Sequence, residues 1–197
     1  MLLIRDDCKH YKGSGPCRAG RLCEGCGEYS PWKESALIIK TGAMGDVLRT
    51  TSILPALKEK HRDAKVSWLT SLKAEPLLRG NPFIDEIVVT DAPGTPSSPS
   101  ILARKFDVLF SLDKTAAECG IAEKASAGKK FGVGLSRWGA PVPFGPECDY
   151  YFSLGLSDDL KFKQNKRTYG DMILEVCGLD GKPAAPILSL DGEDNLK

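Results

Sequence analysis

The chain has almost no net charge: 27 lysines and arginines stand against 26 aspartates and glutamates, a formal +1 over 197 residues. A protein that binds by neutralising phosphates along a nucleic acid needs a basic excess, so no nucleic-acid partner is expected, although a local basic patch is compatible with this balance. Also missing is any run of about 18 apolar residues that could cross a membrane, and the opening MLLIR is too short for the apolar region of a secretory leader. No segment repeats. The three glycines of G-x-G-x-x-G and the Gly-Lys-Ser/Thr ending of a P-loop are both lacking, so neither common nucleotide signature is present. What is left, 42% apolar and 27% charged, is the composition of an ordinary folded domain, and the length suits one domain.

Against that background residues 36–61, ALIIKTGAMGDVLRTTSILPALKEKH, are the most informative stretch. Leu37, Ile38 and Ile39 read as a strand buried on both faces, ending at Lys40. Gly42 and Gly45 free the backbone for a sharp reversal. A helix then starts at or just after Asp46, with Val47, Ile53, Leu54 and Leu57 at near-helical spacing, and Pro55 kinks it or splits it in two. In open α/β sheets ligands bind at the carboxyl ends of strands, which makes this loop the first candidate site. Asp46 on its own is as well explained as a helix N-cap.

Downstream the pattern alternates. Strands are expected at 66–70, 86–90, 108–112 and 131–135, and helices at 75–79, 101–105 and 115–127, with a Pro/Ser-rich loop at 91–100. Tyr169, Met172, Ile173 and Val176 form a last helical face that ends at Gly178. This is the order of an α/β fold, a Rossmann-like parallel sheet with helices on both faces. Asp113 also stands at a strand end before a helix. With Lys40, Arg49, Lys114 and Arg137 it could line one rim, and Trp138 offers a flat face for a sugar ring. The bland alternatives are a second cap, solvated cations and a core aromatic.

Several pieces in order resemble the N-terminal half of glycosyltransferase family 9, which includes the ADP-heptose:lipopolysaccharide heptosyltransferases. They are K-T-x-x-M-G-D at residues 40–46, the Thr-rich helix with Pro55, D-A-x-V-x-W-L from Asp63 and N-P-x-I-D-E-I from Asn81. Weaker similarity continues to the C-terminus. The resemblance implies the N-terminal half of a GT-B fold, an acceptor-side domain at residues 35–180, with residues 181–197 a linker towards a donor domain outside this chain. It implies inverting, metal-independent transfer of heptose from ADP-heptose, a sugar nucleotide, to a lipid-linked oligosaccharide of the lipopolysaccharide core. Asp46 matches the proposed base, and Lys40, Thr41, Gly42, Gly45, Arg49, Asp113 and Arg137 are the candidate substrate contacts. Such a protein is cytoplasmic, and its acceptor brings it to the inner face of the cytoplasmic membrane.

Residues 1–34 do not belong to the family pattern. Cys8, Cys17, Cys23 and Cys26 follow the spacing C-x8-C-x5-C-x2-C, with His10 among them. Tetrahedral zinc takes four such ligands, and with all four positions filled by protein the ion is structural. An iron–sulfur cluster needs the same number of thiolates, but this spacing matches neither ferredoxin pattern. Plain reduced thiols are the third reading. Residues 6–30 hold five glycines and hardly any large aliphatic side chain, which favours a metal staple. Cys119, Cys148 and Cys177 are scattered and read as core thiols. An alternative from another class joins the zinc knuckle to a catalytically incomplete Rossmann-like domain as a binding module. Lys9, Lys12, Arg18 and Arg21 would then supply charge, and Tyr11 and Tyr29 would stack bases.

Overall fold

β1 (Glu34–Ile39) is completely buried from Ala36 onward, because it is paired on both edges and covered on both faces. The computed structural model describes residues 1–13, 15–92, 95–96 and 100–188. The chain continues through α1 (Met44–Thr50), a 3-10 turn at Thr51–Ile53 and α2 (Leu54–Lys60) into β2 (Ala64–Ser71). A 3-10 turn (Glu75–Leu77) leads to β3 (Glu86–Ala92), and β4 (Thr95–Pro96) pairs back on it antiparallel. Then come α3 (Ser100–Ala103), β5 (Lys105–Ser111), α4 (Ala116–Lys124), β6 (Ser126–Leu135) and an antiparallel β7 (Pro141–Pro143). A 3-10 turn at Pro146–Cys148, α5 (Asp149–Ser153), a π-helical turn at Leu160–Gln164 and α6 (Tyr169–Val176) complete the described elements.

The sheet order is β4-β3-β2-β1-β5-β6-β7, and the five inner strands are parallel. Alternation along β1 divides the core. Ala36 and Ile38 face a cluster with Val47, Ile53, Leu54 and Leu57 from the first helices and Ile173, Leu174 and Val176 from α6. Leu37 and Ile39 face Ile101, Ile121 and Ala122 from α3 and α4. Helices therefore cover both faces, as the sequence pattern implies. Burying each large side chain contributes about 1.5–3 kcal/mol.

Pro55 does split the helix: it lies in the first turn of α2, where no intrahelical N–H is needed. The helix start differs from expectation. α1 begins at Met44 after Ala43, which offers no side-chain cap, so Asp46 lies inside the first turn and is not the N-cap. Nor does Asp113 cap α4, whose N-cap is Thr115. Helix α4 ends at Lys124 and β6 starts at Ser126, earlier than periodicity suggests, because the small and charged residues from Ser126 to Lys130 pair with β5. In α6 the Thr168 hydroxyl accepts from the Asp171 N–H at 3.2 Å, a true side-chain cap. Of the loop at 91–100, Pro93, Gly94 and residues 97–99 lie outside the described residues.

The N-terminal segment attaches at the amino ends of β1 and β2. Cys8 bridges Pro31, the Trp32 N–H donates to Asp7 O at 2.8 Å, and the Lys33 N–H donates to Asp63 O at 3.1 Å. The Asp63 carboxylate also takes Lys33 at 3.0 Å and Lys9 at 3.4 Å, and these cations, Lys33 foremost, hold its carboxyl below the usual range.

One glycine in the sheet cannot be replaced without disruption. Gly132, beside Ser111 in the β5–β6 register, has φ +91°, and a Cβ there would stand 1.9 Å from the Ser111 carbonyl oxygen. Gly132→Ala is expected to cost about 3 kcal/mol or more in urea unfolding.

Candidate functional site

After β1 the chain moves to β2 and β3 on one side and returns to β5 on the other, so the crevice between the carboxyl ends of β1 and β5 is the switch point of the sheet. Lys40 and Asp113 come from its two lips. Lys40 Nζ lies 2.6 Å from Asp113 Oδ1, with side-chain exposures of only 5% and 7%. The other carboxylate oxygen, Oδ2, accepts from the Thr41 N–H at 2.6 Å and from the Thr41 hydroxyl at 3.0 Å. That hydroxyl also lies 2.7 Å from Glu118 Oε1, and with a single hydrogen it donates to one carboxylate at a time. Glu118 Oε2 is buried without a hydrogen-bond partner among the described residues. From the other side the Trp68 indole N–H donates to the Lys40 carbonyl at 3.1 Å. The loop leaving β1 is thus tied to β5, α4 and β2 at once.

Lys40 and Asp113, expected as substrate contacts, are thus both buried and paired with each other, and their bonds hold the loop in position. Thr41, 8% exposed, belongs to the same network.

Asp46 is different. It stands at the open end of this loop in the first turn of α1, and its side chain is 35% exposed. Its Oδ1 accepts from Arg49 Nη2, while Oδ2 has no hydrogen-bond partner among the described residues. The Arg49 guanidinium lies 4.4 Å from the centre of the Tyr169 ring, and the Tyr169 hydroxyl pairs with Thr50 Oγ1 at 2.9 Å. Burial raises the Tyr169 phenol, so it stays protonated at neutral pH. Sequence reasoning read Tyr169 as a core residue of the last helix. The missed signal is its position at the start of that helix, where α6 meets α1. A cleft of 290 Å³ opens beside this group, lined by Arg49, Ser52, Tyr169, Gly170, Pro183 and Pro186. Its far wall comes from the start of the segment expected to be a linker, residues 181–197, of which 189–197 lie outside the described residues. The described part is docked, with the Ala184 N–H on Ser52 O at 3.0 Å and the Ile187 N–H on Thr51 Oγ1 at 2.9 Å.

Gly42 and Gly45 do not work as expected either. Neither takes a positive φ, and a Cβ at either would have nothing within 4 Å. The rim is therefore clear of neighbouring atoms at both positions. Lys114 turns away from the crevice to donate to Tyr151 O at 2.6 Å, and burial foremost lowers its pKa. Arg137 and Trp138 lie in the exposed loop after β6, on the same carboxyl-end edge of the sheet, with the guanidinium 4.4 Å from the indole centre. Trp138 is 81% exposed and is not a core aromatic.

The cysteines separate into two groups. Cys119, Cys148 and Cys177 are buried, and burial pushes their thiols up, Cys119 to about 12 and Cys148 to about 11, so they are inert at neutral pH. Cys8, Cys17, Cys23 and Cys26 are half-buried and unpaired. Backbone N–H groups, that of Ala19 foremost, lower the Cys17 thiol.

The buried pair yields a direct test. Asp113→Ala leaves an uncompensated ammonium in the interior and is expected to cost about 3–5 kcal/mol in urea unfolding, whereas Lys40→Met combined with Asp113→Leu should recover most of that loss.

No protein-family model matches the chain, and no curated protein matches it. Among solved structures, that of the glycosyl transferase family 9 from Veillonella parvula DSM 2008 superposes with a TM-score of 0.57 at 18% identity, over 81% of this chain and 46% of that one. The E. coli heptosyltransferase WaaC with ADP-2-deoxy-2-fluoro heptose gives a TM-score of 0.48 at 15% identity, over 76% of this chain and 50% of that one. E. coli ADP-heptose lps heptosyltransferase II gives 0.42 at 17% identity, over 49% and 29%. The chain spans half or less of the length of each of these proteins. It is thus built on an α/β, Rossmann-like fold that it shares, over 81% of its length, with a family 9 glycosyl transferase.

Proposed function

We propose that the chain forms the acceptor-side half of an inverting glycosyltransferase in which Asp46 is the base. The observation that carries this reading is a half-open carboxylate with one unpartnered oxygen, on a loop held at the switch point by a buried ion pair. Asp46 is also the last residue of the K-T-x-x-M-G-D motif, and the shared fold is compatible with the same role.

In this mechanism an acceptor hydroxyl lies against Asp46 Oδ2. Its oxygen bonds to the anomeric carbon of the donor from the face opposite the diphosphate, and its proton passes to Asp46. The bond from the anomeric carbon to the diphosphate breaks, and the nucleoside diphosphate leaves with the electron pair. A carboxylate is a weak base, but none stronger is needed, because the hydroxyl becomes acidic as it bonds to a centre with oxocarbenium character. Arg49 keeps Asp46 oriented from one side. Arg49 and Arg137 are the exposed cations of this rim, suited to a phosphorylated acceptor by charge-assisted hydrogen bonds. Trp138 offers an apolar face to a sugar ring.

The donor that fits the resemblance is ADP-heptose, and the acceptor is a lipid-linked saccharide of the lipopolysaccharide-core type. No metal takes part in the transfer on this reading. Contacts to the nucleotide would come from a separate donor domain, so residues 1–197 alone should transfer little or nothing. No described helix is long and apolar enough to cross a membrane. The lipid-linked acceptor would bring the protein to the inner face of the cytoplasmic membrane.

In a protein that also carries the donor domain, Asp46→Asn is expected to lower kcat by at least about 100-fold with no change in thermal unfolding. Retained turnover would overturn the assignment. Gly45→Ala separates binding from folding. With open space at its Cβ, the variant should be as stable as the parent, or up to about 1 kcal/mol more so from helix propensity, while KM for the acceptor rises.

A further inference from the structure

None of the described residues among 1–35 is buried, yet the segment has a defined path. Its large apolar side chains, Leu2, Leu3, Ile4 and Leu22, are exposed, so hydrophobic burial cannot offset the entropy of ordering it. What the path does is bring Cys8, Cys17, Cys23 and Cys26 around one small cavity of 20 Å³, together with Arg5, His10 and Arg21. That volume suits one atom-sized occupant. Three of the cysteines open tight turns: Tyr11 N–H to Cys8 O at 2.9 Å, Gly20 N–H to Cys17 O at 3.0 Å and Cys26 N–H to Cys23 O at 3.3 Å. Gly20 and Gly25 take φ +61° and +65° inside two of these turns, a conformation open to glycine at little cost.

We infer that Cys8, Cys17, Cys23 and Cys26 bind a single structural zinc ion as four thiolates. Each cysteine gives its proton to solvent as its sulfur takes the metal. Four thiolates around a divalent ion leave two negative charges; Arg5 and Arg21 line the cavity and oppose them, while Glu28, also in its lining, adds one of the same sign. Among the described residues no three His, Cys, Asp or Glu side chains stand in position to hold a metal ion, so binding requires the cysteine turns to close further around it. The site lies at the amino ends of β1 and β2, at the opposite end of the sheet from Asp46. Its role is to order this segment against Asp63 and Trp32 and not to take part in transfer.

The test uses the full chain expressed in zinc-supplemented medium. Native mass spectrometry should find one zinc per chain, and Cys17→Ser and Cys26→Ser should each lower occupancy at least about tenfold while the far-UV circular dichroism of the sheet domain is kept. Chelated wild-type protein titrated with cobalt should develop thiolate-to-cobalt charge-transfer bands and the intense visible bands of a tetrahedral site, and this readout stands even if a variant misfolds. His10→Ala should keep its zinc. Absence of zinc from the wild type, full occupancy in Cys17→Ser, loss of zinc in His10→Ala, or iron with inorganic sulfide in its place would each overturn the assignment.

Discussion

A lysine and an aspartate taken out of water together set the terms for everything at the carboxyl end of this sheet. Desolvating Lys40 and Asp113 is costly, and their attraction is helped to repay the cost by further bonds: Thr41 bonds the second carboxylate oxygen, and the Leu112 carbonyl lies 3.5 Å from the ammonium. The result is directional, since a hydrophobic pair of similar volume could slide, whereas these bonds admit one register of the β1 loop against β5. Asp46, six residues further on, inherits that register.

Much of this architecture is legible along the chain, and the reasons differ from element to element. β1 is visible because three consecutive large aliphatic residues have no other use than two-faced burial. The division at Pro55 is visible because a missing N–H can be accommodated only in the first turn of a helix. The Lys40–Asp113 pair is not visible, because 73 residues separate the partners and each alone reads as a surface ion. Tyr169 escaped for a related reason: its hydrophobic spacing predicts packing, and nothing local says that its ring will lie under the Arg49 guanidinium. The early start of β6 was hidden because Lys129 and Lys130 are poor strand formers, and their conformation is set by the ladder to β5.

The two chemically loaded regions sit at opposite ends of the parallel strands. Ion pairing and hydrogen bonds at the amino end fasten the cysteine segment through Asp63, which immediately precedes β2. The strand core between them is rigid and apolar. A change of side chain at one end therefore leaves the contacts of the other in place.

The docked strand of backbone around Ala184 and Ile187 has a consequence of its own. Two hydrogen bonds to the Thr51–Ile53 turn, each worth about 1 kcal/mol net, are little tether for a wall of the cleft. The rest of its hold comes from Pro183, which packs against Gly170 at the start of α6. The depth of the hollow beside Arg49 is accordingly set by a few contacts outside the sheet and not by the core.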